Sequence, residues 1–361
     1  MTTRSSLPRA RRFVLPAIVA ATLFAVVFLW QPHRSSALRE YLVTGPTMGT
    51  TFVVKVVSQT GDDTLKERLA GIVRDVLESV DSAMSNYRTD SEIAAFNRHG
   101  TDDFEASPEM IEVIAEAQRV ARLSGGAFDI TVGPLVDAWG FGPLGAAEPP
   151  SEEILYGLLA VTGFEQIVVD SDLGVLRKAR ADCRADLSAI AKGYAVDRVA
   201  AALDEEGFED FMVEIGGEVR TRGRDGGGKH WRIGIERPDS DTRAVYVTIP
   251  LSDLALATSG DYRDYVEHDG VRISHTIDPR TGRPIAHGLA SVSVIHSSCM
   301  TADALATALE VLGPVEGPET AELYDIPAFF LVRIDDNRFK EMHTDVWAAL
   351  TENSPASEPV E

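Results

Sequence analysis

Cysteine is almost absent from this chain of 361 residues, with Cys183 and Cys299 the only two. They form no CxxC and no Cys/His cluster, which excludes a disulfide scaffold and a structural zinc site. Two isolated buried thiols are the simplest reading, and a single bridge between them is the alternative. Basic residues are scarce too. Lys plus Arg number 34 against 56 Asp plus Glu, a formal net charge of −22. Six arginines precede residue 40, where there is no acid, so the remainder holds 28 bases against 56 acids. That balance excludes nucleic-acid binding through a general basic surface. A phosphate-bearing ligand would need a local device, meaning a metal ion, a helix N-terminus or one well-placed lysine. The GxxxxGK[ST] P-loop, the GxSxG elbow and any repeat of fixed period are also missing, which removes several nucleotide-binding, hydrolase and solenoid readings.

Only one long apolar run is present. Arg4, Arg9, Arg11 and Arg12 precede Phe13 to Trp30, 18 residues without a charge, which at 1.5 Å per residue span roughly 27 Å. The arginines predict a cytoplasmic residue 1–12 segment, a span at 13–30 and a linker at 31–43, with the acidic body outside the cytoplasm. A cleavable signal sequence ending near Ser35-Ser36-Ala37 is the rival, but its apolar core is usually shorter. No Cys follows the run, so lipid modification is not expected. Residues 44–350 read as the catalytic body, with an internal boundary near 143–153 (rich in Pro, Gly and acid), and 351–361 as a disordered acidic tail.

With 44% hydrophobic and 25% charged residues, the body has ordinary globular composition. Thr64 to Met84 carries apolar residues at the 3.6 spacing of an amphipathic helix, and Ser107-Pro108 opens another that ends at Gly125-Gly126. Residues 50–57, 167–169, 174–176, 211–215, 231–235, 246–251 and 292–295 read as strands, and Asp225 to Lys229 as a hairpin tip. A further helix is predicted from Thr301 to Leu312, stopped by Gly313-Pro314. Strands and helices come in runs rather than alternating, which favours an α+β fold over a doubly wound sheet.

Two segments point to phosphate chemistry. In Asp186 to Asp197, Ser188 is placed to cap a helix that ends at Gly207, so Lys192 would sit in the first turn beside free backbone N–H groups. The alternative is a structural helix with a solvated lysine. In Thr301 to Thr307, Asp303 and Thr307 lie four apart and project from one helix face. Their hard oxygens suit Mg²⁺, which shares its remaining positions with water and substrate phosphate. Polar residues on an Ala-rich helix are the competing reading. Glycine-rich Gly125 to Gly142 suggests irregular backbone near a ligand around Phe128, Asp129 and Trp139, with a plain loop as the alternative, and Gly216-Gly217 suggests a bulge or a close approach. Tyr87 could stack on a planar ring, and His275, just before an Asp-Pro turn, is a candidate base.

In combination these motifs carry a resemblance. They run Thr47-Met48-Gly49-Thr50; Tyr87-Arg88 with Asp90 to Ile93; Gly126-Ala127-Phe128-Asp129 to Val136; Asp186 to Asp197; Glu214 to Glu218; Thr258 to Tyr262; Ser274-His275 to Gly282; and Met300 to Thr307. The chain over roughly residues 44–335 resembles the FAD:protein FMN transferase (ApbE) family. That resemblance implies an α+β, T-fold-related architecture of mixed or antiparallel sheets with packed helices. It implies FAD as substrate and Mg²⁺ held by Asp303, Thr307 and the backbone carbonyl of Ala189. Flavin contacts would fall on Met48, Tyr87, Ala127, Phe128, Asp129, Asp186 and Lys192, with His275 nearby. The implied activity moves FMN from FAD onto a Thr or Ser hydroxyl of a membrane-associated redox subunit and releases AMP, with His275 and Asp303 in the chemistry. Mg²⁺-dependent FAD hydrolysis and a flavin carrier without turnover are the alternatives. No Ser/Asp-Gly-Ala-Thr-like acceptor segment occurs in this chain, so the acceptor is expected to be another protein.

Overall fold

The computed structural model describes residues 38–59, 64–142, 148–238, 244–260, 265–268, 271–335 and 338–352. The expected membrane span lies outside these residues, as does the acidic tail from residue 353. Thr351 and Glu352, assigned to that tail, instead close the last helix. Among the described residues no helix is long and apolar enough to cross a membrane.

The chain opens with a hairpin of β1 (Arg39–Thr47) and β2 (Thr50–Ser58). Met48 and Gly49 form its two-residue turn, both with positive φ, at 45° and 72°. Such a turn matches the natural twist of paired strands, although a methionine in that region is uncommon. α1 (Thr64–Met84) buries Leu65, Leu69, Val73, Leu77, Val80 and Met84, the stripe that its spacing predicts. α2 (Glu92–Arg98), β3 (Phe104–Glu105) and α3 (Pro108–Leu123) follow, with Ser91 and Ser107 accepting backbone N–H groups as caps. A 3₁₀ turn at Ile130–Val132 leads into α4 (Gly133–Ala138), then α5 (Glu152–Leu159), β4 (Ile167–Asp170) and β5 (Val175–Lys178).

The second half begins with α6 (Ala191–Glu205), β6 (Phe211–Ile215), β7 (Glu218–Arg222), β8 (Trp231–Glu236), β9 (Val245–Leu251) and β10 (Ala255–Gly260). Two small hairpins come next, β11 (Tyr265–His268) with β12 (Val271–Ser274), and β13 (Ile277–Asp278) with β14 (Arg283–Pro284). β15 (Leu289–His296), α7 (Cys299–Leu323), β16 (Ala328–Asp335), β17 (Arg338–His343) and α8 (Asp345–Glu352) complete the order.

An eight-stranded sheet ordered β1-β2-β6-β7-β10-β15-β16-β17 forms the frame. Its neighbours pair antiparallel throughout. The α+β expectation is met. One face is covered by α1, α6 and α7 over a core that includes Leu69, Val54, Val213, Val292 and Leu309. The other face carries the β8–β9 hairpin and α8, where Trp347 stacks on Phe329 with ring centroids 5.5 Å apart. Burial on both sides explains why β15 reads LASVSVI without a charge.

Three local expectations need correction. Gly216 and Gly217 are no bulge. They form the two-residue turn between β6 and β7, in register Ile215↔Glu218, with φ of 63° and 110°. The Asp225–Lys229 turn does close on itself through Asp225 N–H to the Lys229 carbonyl, but its flanking strands pair in different sheets, so it is a crossover and not a hairpin tip. The helix expected at 301–312 starts earlier, at Cys299, capped by Ser298; it does stop at Gly313, whose φ of 78° is not helical, and a second helical segment runs on from there to Leu323 within α7. Pro314 stands in the first turn of that second segment, where a proline is tolerated.

Candidate functional site

Two helix starts meet over the end of the central strands. Gly193, in the first turn of α6, donates its N–H to Asp303 Oδ2 at 2.9 Å. The approach requires glycine, since a Cβ there would lie 2.8 Å from Asp303 Cβ and against the Cys299 carbonyl. Asp303 is only 5% exposed, and its other oxygen, Oδ1, stands 3.9 Å from Lys192 Nζ. Lys192 also donates to Glu218 Oε1 at 2.6 Å. Glu218 is 2% exposed, and its second oxygen has no hydrogen-bond partner among the described residues. The β1–β2 turn reaches the same place, because a Cβ on Gly216 would touch Thr50 Cγ2 at 2.9 Å and Lys192 Cδ at 3.3 Å.

The charges in this cluster do not balance. Two buried carboxylates face one ammonium, leaving one excess negative charge where burial makes it costly. Burial and the nearby Asp303 push the Glu218 carboxyl up to about 7, with Lys192 opposing them. Burial alone would lower the Lys192 pKa, but Asp303 and Glu218 overcome it and hold the ammonium protonated. A cation would remove the excess charge without a proton. The donors expected to hold one are hard oxygens, namely Asp303, Thr307 one turn further along α7, and the carbonyl of Ala189 just before α6, and they suit Mg²⁺. Among the described residues no group of three His, Cys, Asp or Glu side chains is placed for a metal. A set of one carboxylate, one hydroxyl and one carbonyl does not require such a group.

A second cluster adjoins the first through residues 186–191. Asp186 Oδ1 accepts from Asn86 Nδ2 at 2.7 Å and from Ser188 N–H at 2.8 Å. This turn corrects the expected cap. Ser188 is held by Asp186, and α6 starts three residues later with Ile190 at a cap position that has no side-chain bond. The Asp186 N–H donates to the Ile130 carbonyl at 2.6 Å, which joins the Ala127–Asp129 segment to it. Ala127, Phe128 and Asp129 are buried. Asp129 Oδ1 accepts from both Thr131 N–H and Thr131 Oγ1 at 2.7 Å. Burial nevertheless outweighs these bonds and pushes its carboxyl up to about 6. Tyr87, next to Asn86, is 71% exposed. From below, the buried Lys178 ammonium donates to the carbonyls of Asn97, Ala181 and Cys183, and Asn97 exchanges two bonds with Ala185. The segment leading to Asp186 is therefore fixed on both sides.

His275 meets the Phe141 ring edge to face, with centroids 6.4 Å apart. Trp139 Nε1 donates to the Gly282 carbonyl at 2.8 Å, so the glycine-rich segment and the His275 loop pack as one unit around Leu135, Leu155 and Ile277. Met48 occupies the β1–β2 turn, packed against the main core. Cys183 and Cys299 are buried and unbridged. The sequence reading missed the pairing of Glu218 with Lys192 and the role of Asn86. Glu218 stood inside a motif already singled out and Asn86 directly beside one, but their partners are 26 and 100 residues away.

Known proteins are similar to this chain in sequence and in fold. The sequence model of the ApbE family matches residues 48–330. The FAD:protein FMN transferase of Vibrio cholerae is 47% identical over 303 residues, covering 83% of this chain and 89% of that protein. The one from Haemophilus influenzae is 40% identical over 316 residues, covering 86% and 91%. Among solved structures, the flavin transferase ApbE from Vibrio cholerae superposes with a TM-score of 0.79 at 42% identity, over 87% of this chain and 99% of that one. The ApbE protein of Thermotoga maritima gives 0.76 at 30% identity, again over 87% and 99%.

Proposed function

The chain belongs to the ApbE family, and from that premise we propose how it works as an FAD:protein FMN transferase. FAD is the donor substrate and a protein is the acceptor. The acceptor group is a Thr or Ser hydroxyl. Its oxygen bonds to the flavin-side phosphorus, the bridging P–O bond breaks, and AMP leaves. Mg²⁺, when bound, neutralises charge on the pyrophosphate oxygens. Asp303, Thr307 and the Ala189 carbonyl would hold it. Lys192 steadies the phosphates, Tyr87 offers its exposed ring to the flavin, and His275 accepts the hydroxyl proton.

The observation that carries this reading is the buried Lys192–Glu218–Asp303 cluster with its excess negative charge. That charge favours a divalent cation at the start of two helices, where phosphate also binds well. The test is to incubate the purified chain with FAD and Mg²⁺, with and without a Thr-bearing acceptor peptide. AMP release that depends on the peptide, with a matching FMN mass gain, is expected. Release without peptide would instead make the chain an FAD hydrolase, and no release a carrier. Asp303→Ala should abolish Mg²⁺-dependent transfer, and unaltered turnover would sink the metal assignment. We further propose that residues 13–30 anchor the chain and hold the acidic body outside the cytoplasm, facing a membrane-associated redox subunit. Protease added to intact cells should then digest the body once the outer barrier is opened, and protection would refute this placement.

A further inference from the structure

Asp197 closes the Asp186–Asp197 motif, and none of the roles above uses it. It lies on α6, one turn beyond Gly193, and faces the start of α7. Its Oδ1 accepts the Cys299 N–H at 3.0 Å, and its Oδ2 accepts the Met300 N–H at 3.1 Å and the Ser298 hydroxyl at 2.8 Å. Arg220 on β7 pairs with Oδ1 from the sheet side. Ser298 in turn caps α7 through the Thr301 N–H. A simple cap needs one acceptor for one or two amides. Here both carboxylate oxygens take three donors from the other helix and one from the sheet.

The arrangement is reciprocal. Asp303, on α7, accepts an N–H from the first turn of α6, while Asp197, on α6, accepts two N–H groups from the first turn of α7. Each helix satisfies the other's orphan donors with its own acid. We propose that Asp197 is the positioning residue of the cation site: this exchange fixes the two helix starts against each other, so that Asp303 and Thr307 on α7 face the Ala189 carbonyl ahead of α6. The inference deepens the metal reading above and rests on it for the ligand. Groups that orient metal ligands without touching the metal commonly change affinity by about 10–100-fold when altered.

The experiment compares the purified full-length chain with its Asp197→Asn variant, which keeps the side-chain size but turns one acceptor oxygen into a donor. Asp204→Asn is the control, since it removes the same charge from the same helix at an ion pair with Arg222. Mn²⁺ alone is the probe, titrated calorimetrically, and amide exchange at Gly193 is read in parallel without metal. In Asp197→Asn the Mn²⁺ dissociation constant should rise about tenfold or more and Gly193 exchange should accelerate by a similar factor, while Asp204→Asn stays within about twofold of wild type. Wild-type values in Asp197→Asn, or equal losses in both variants, would overturn the proposal. If Asp197→Asn does not fold, Ser298→Ala, which deletes one donor to Asp197, should weaken Mn²⁺ by about threefold, and no change there would equally overturn it. If the wild-type chain binds no Mn²⁺, the metal reading fails by itself, and Gly193 exchange then decides whether Asp197 holds the two helices.

Discussion

Asp129 offers a sharp test because its carboxylate is stabilised and penalised at once. Its Oδ1 takes two hydrogen bonds from Thr131, yet burial pushes the carboxyl from 3.8 up to about 6, with Glu165 adding to the effect. In the unfolded chain the group ionises near its ordinary value. Below about pH 4 both states are protonated and the residue contributes nothing to the pH dependence. Between about pH 4 and 6 the unfolded state loses its proton first, so the folded state loses stability as pH rises. Above that window the full penalty is present, and two units of displacement correspond to about 3 kcal/mol. The Asp129→Asn substitution retains an acceptor oxygen for Thr131 and removes the ionisation. The variant's stability relative to wild type should therefore improve by about 3 kcal/mol between pH 4 and 7.5, on top of a constant offset from the amide swap. Urea unfolding of both proteins without FAD or metal, at four pH values across this range, measures the difference. Parallel profiles with a fixed offset would refute the reasoning. Transfer activity should fall in the same variant, as expected where a site keeps a destabilising group for function.

Gly193→Ala should force the two helix starts apart, lowering stability by roughly 1–3 kcal/mol and slowing transfer, and a thermal melt alongside the rate would check both. Glu218→Gln removes the excess negative charge and turns the 2.6 Å partner of Lys192 from a carboxylate into a neutral amide oxygen. The Mg²⁺ concentration for half-maximal transfer should then rise about tenfold, and an unchanged value would count against the charge argument. Cys183 and Cys299 are buried, and burial pushes the Cys183 thiol up to about 11 and Cys299 well above its ordinary value. Both should stay unreactive to a thiol reagent at pH 8 until the protein is unfolded, which absorbance of the released chromophore would follow.

What the sequence disclosed was mainly local. The helix at Thr64–Met84 and the strand at Phe211–Ile215 were legible to the residue, because each presents its core face at a fixed period. The α+β order followed from the same periods. Local signals also misled. Ser188 has the right identity for a cap, but the Asp186 side chain two residues earlier claims its N–H first. Gly313-Pro314 reads as a stop and does end the first helical segment, but the second segment that follows to Leu323, with Ala321 buried, gave no signal that was read. At the site, the individual residues were visible in their motifs while their partners were not. Lys192 meets Glu218 only because a Gly-Gly turn folds β7 back along β6, and Asp197 meets Ser298 only because α6 and α7 lie side by side. No window of neighbouring residues contains those facts.

The edge strand β1 has a consequence for reach. Its nine residues run from Arg39 to Thr47 and deliver the chain to the turn beside Lys192. At about 3.4 Å per residue the strand is a stiff stem of roughly 30 Å, braced along its length by β2. An attachment made directly at Arg39 would stand at a distance of that order from the turn. If that attachment is a surface, an acceptor fixed to the same surface must present its hydroxyl at a matching height. Height above the surface then becomes a selection rule for acceptors, independent of the sequence around the hydroxyl.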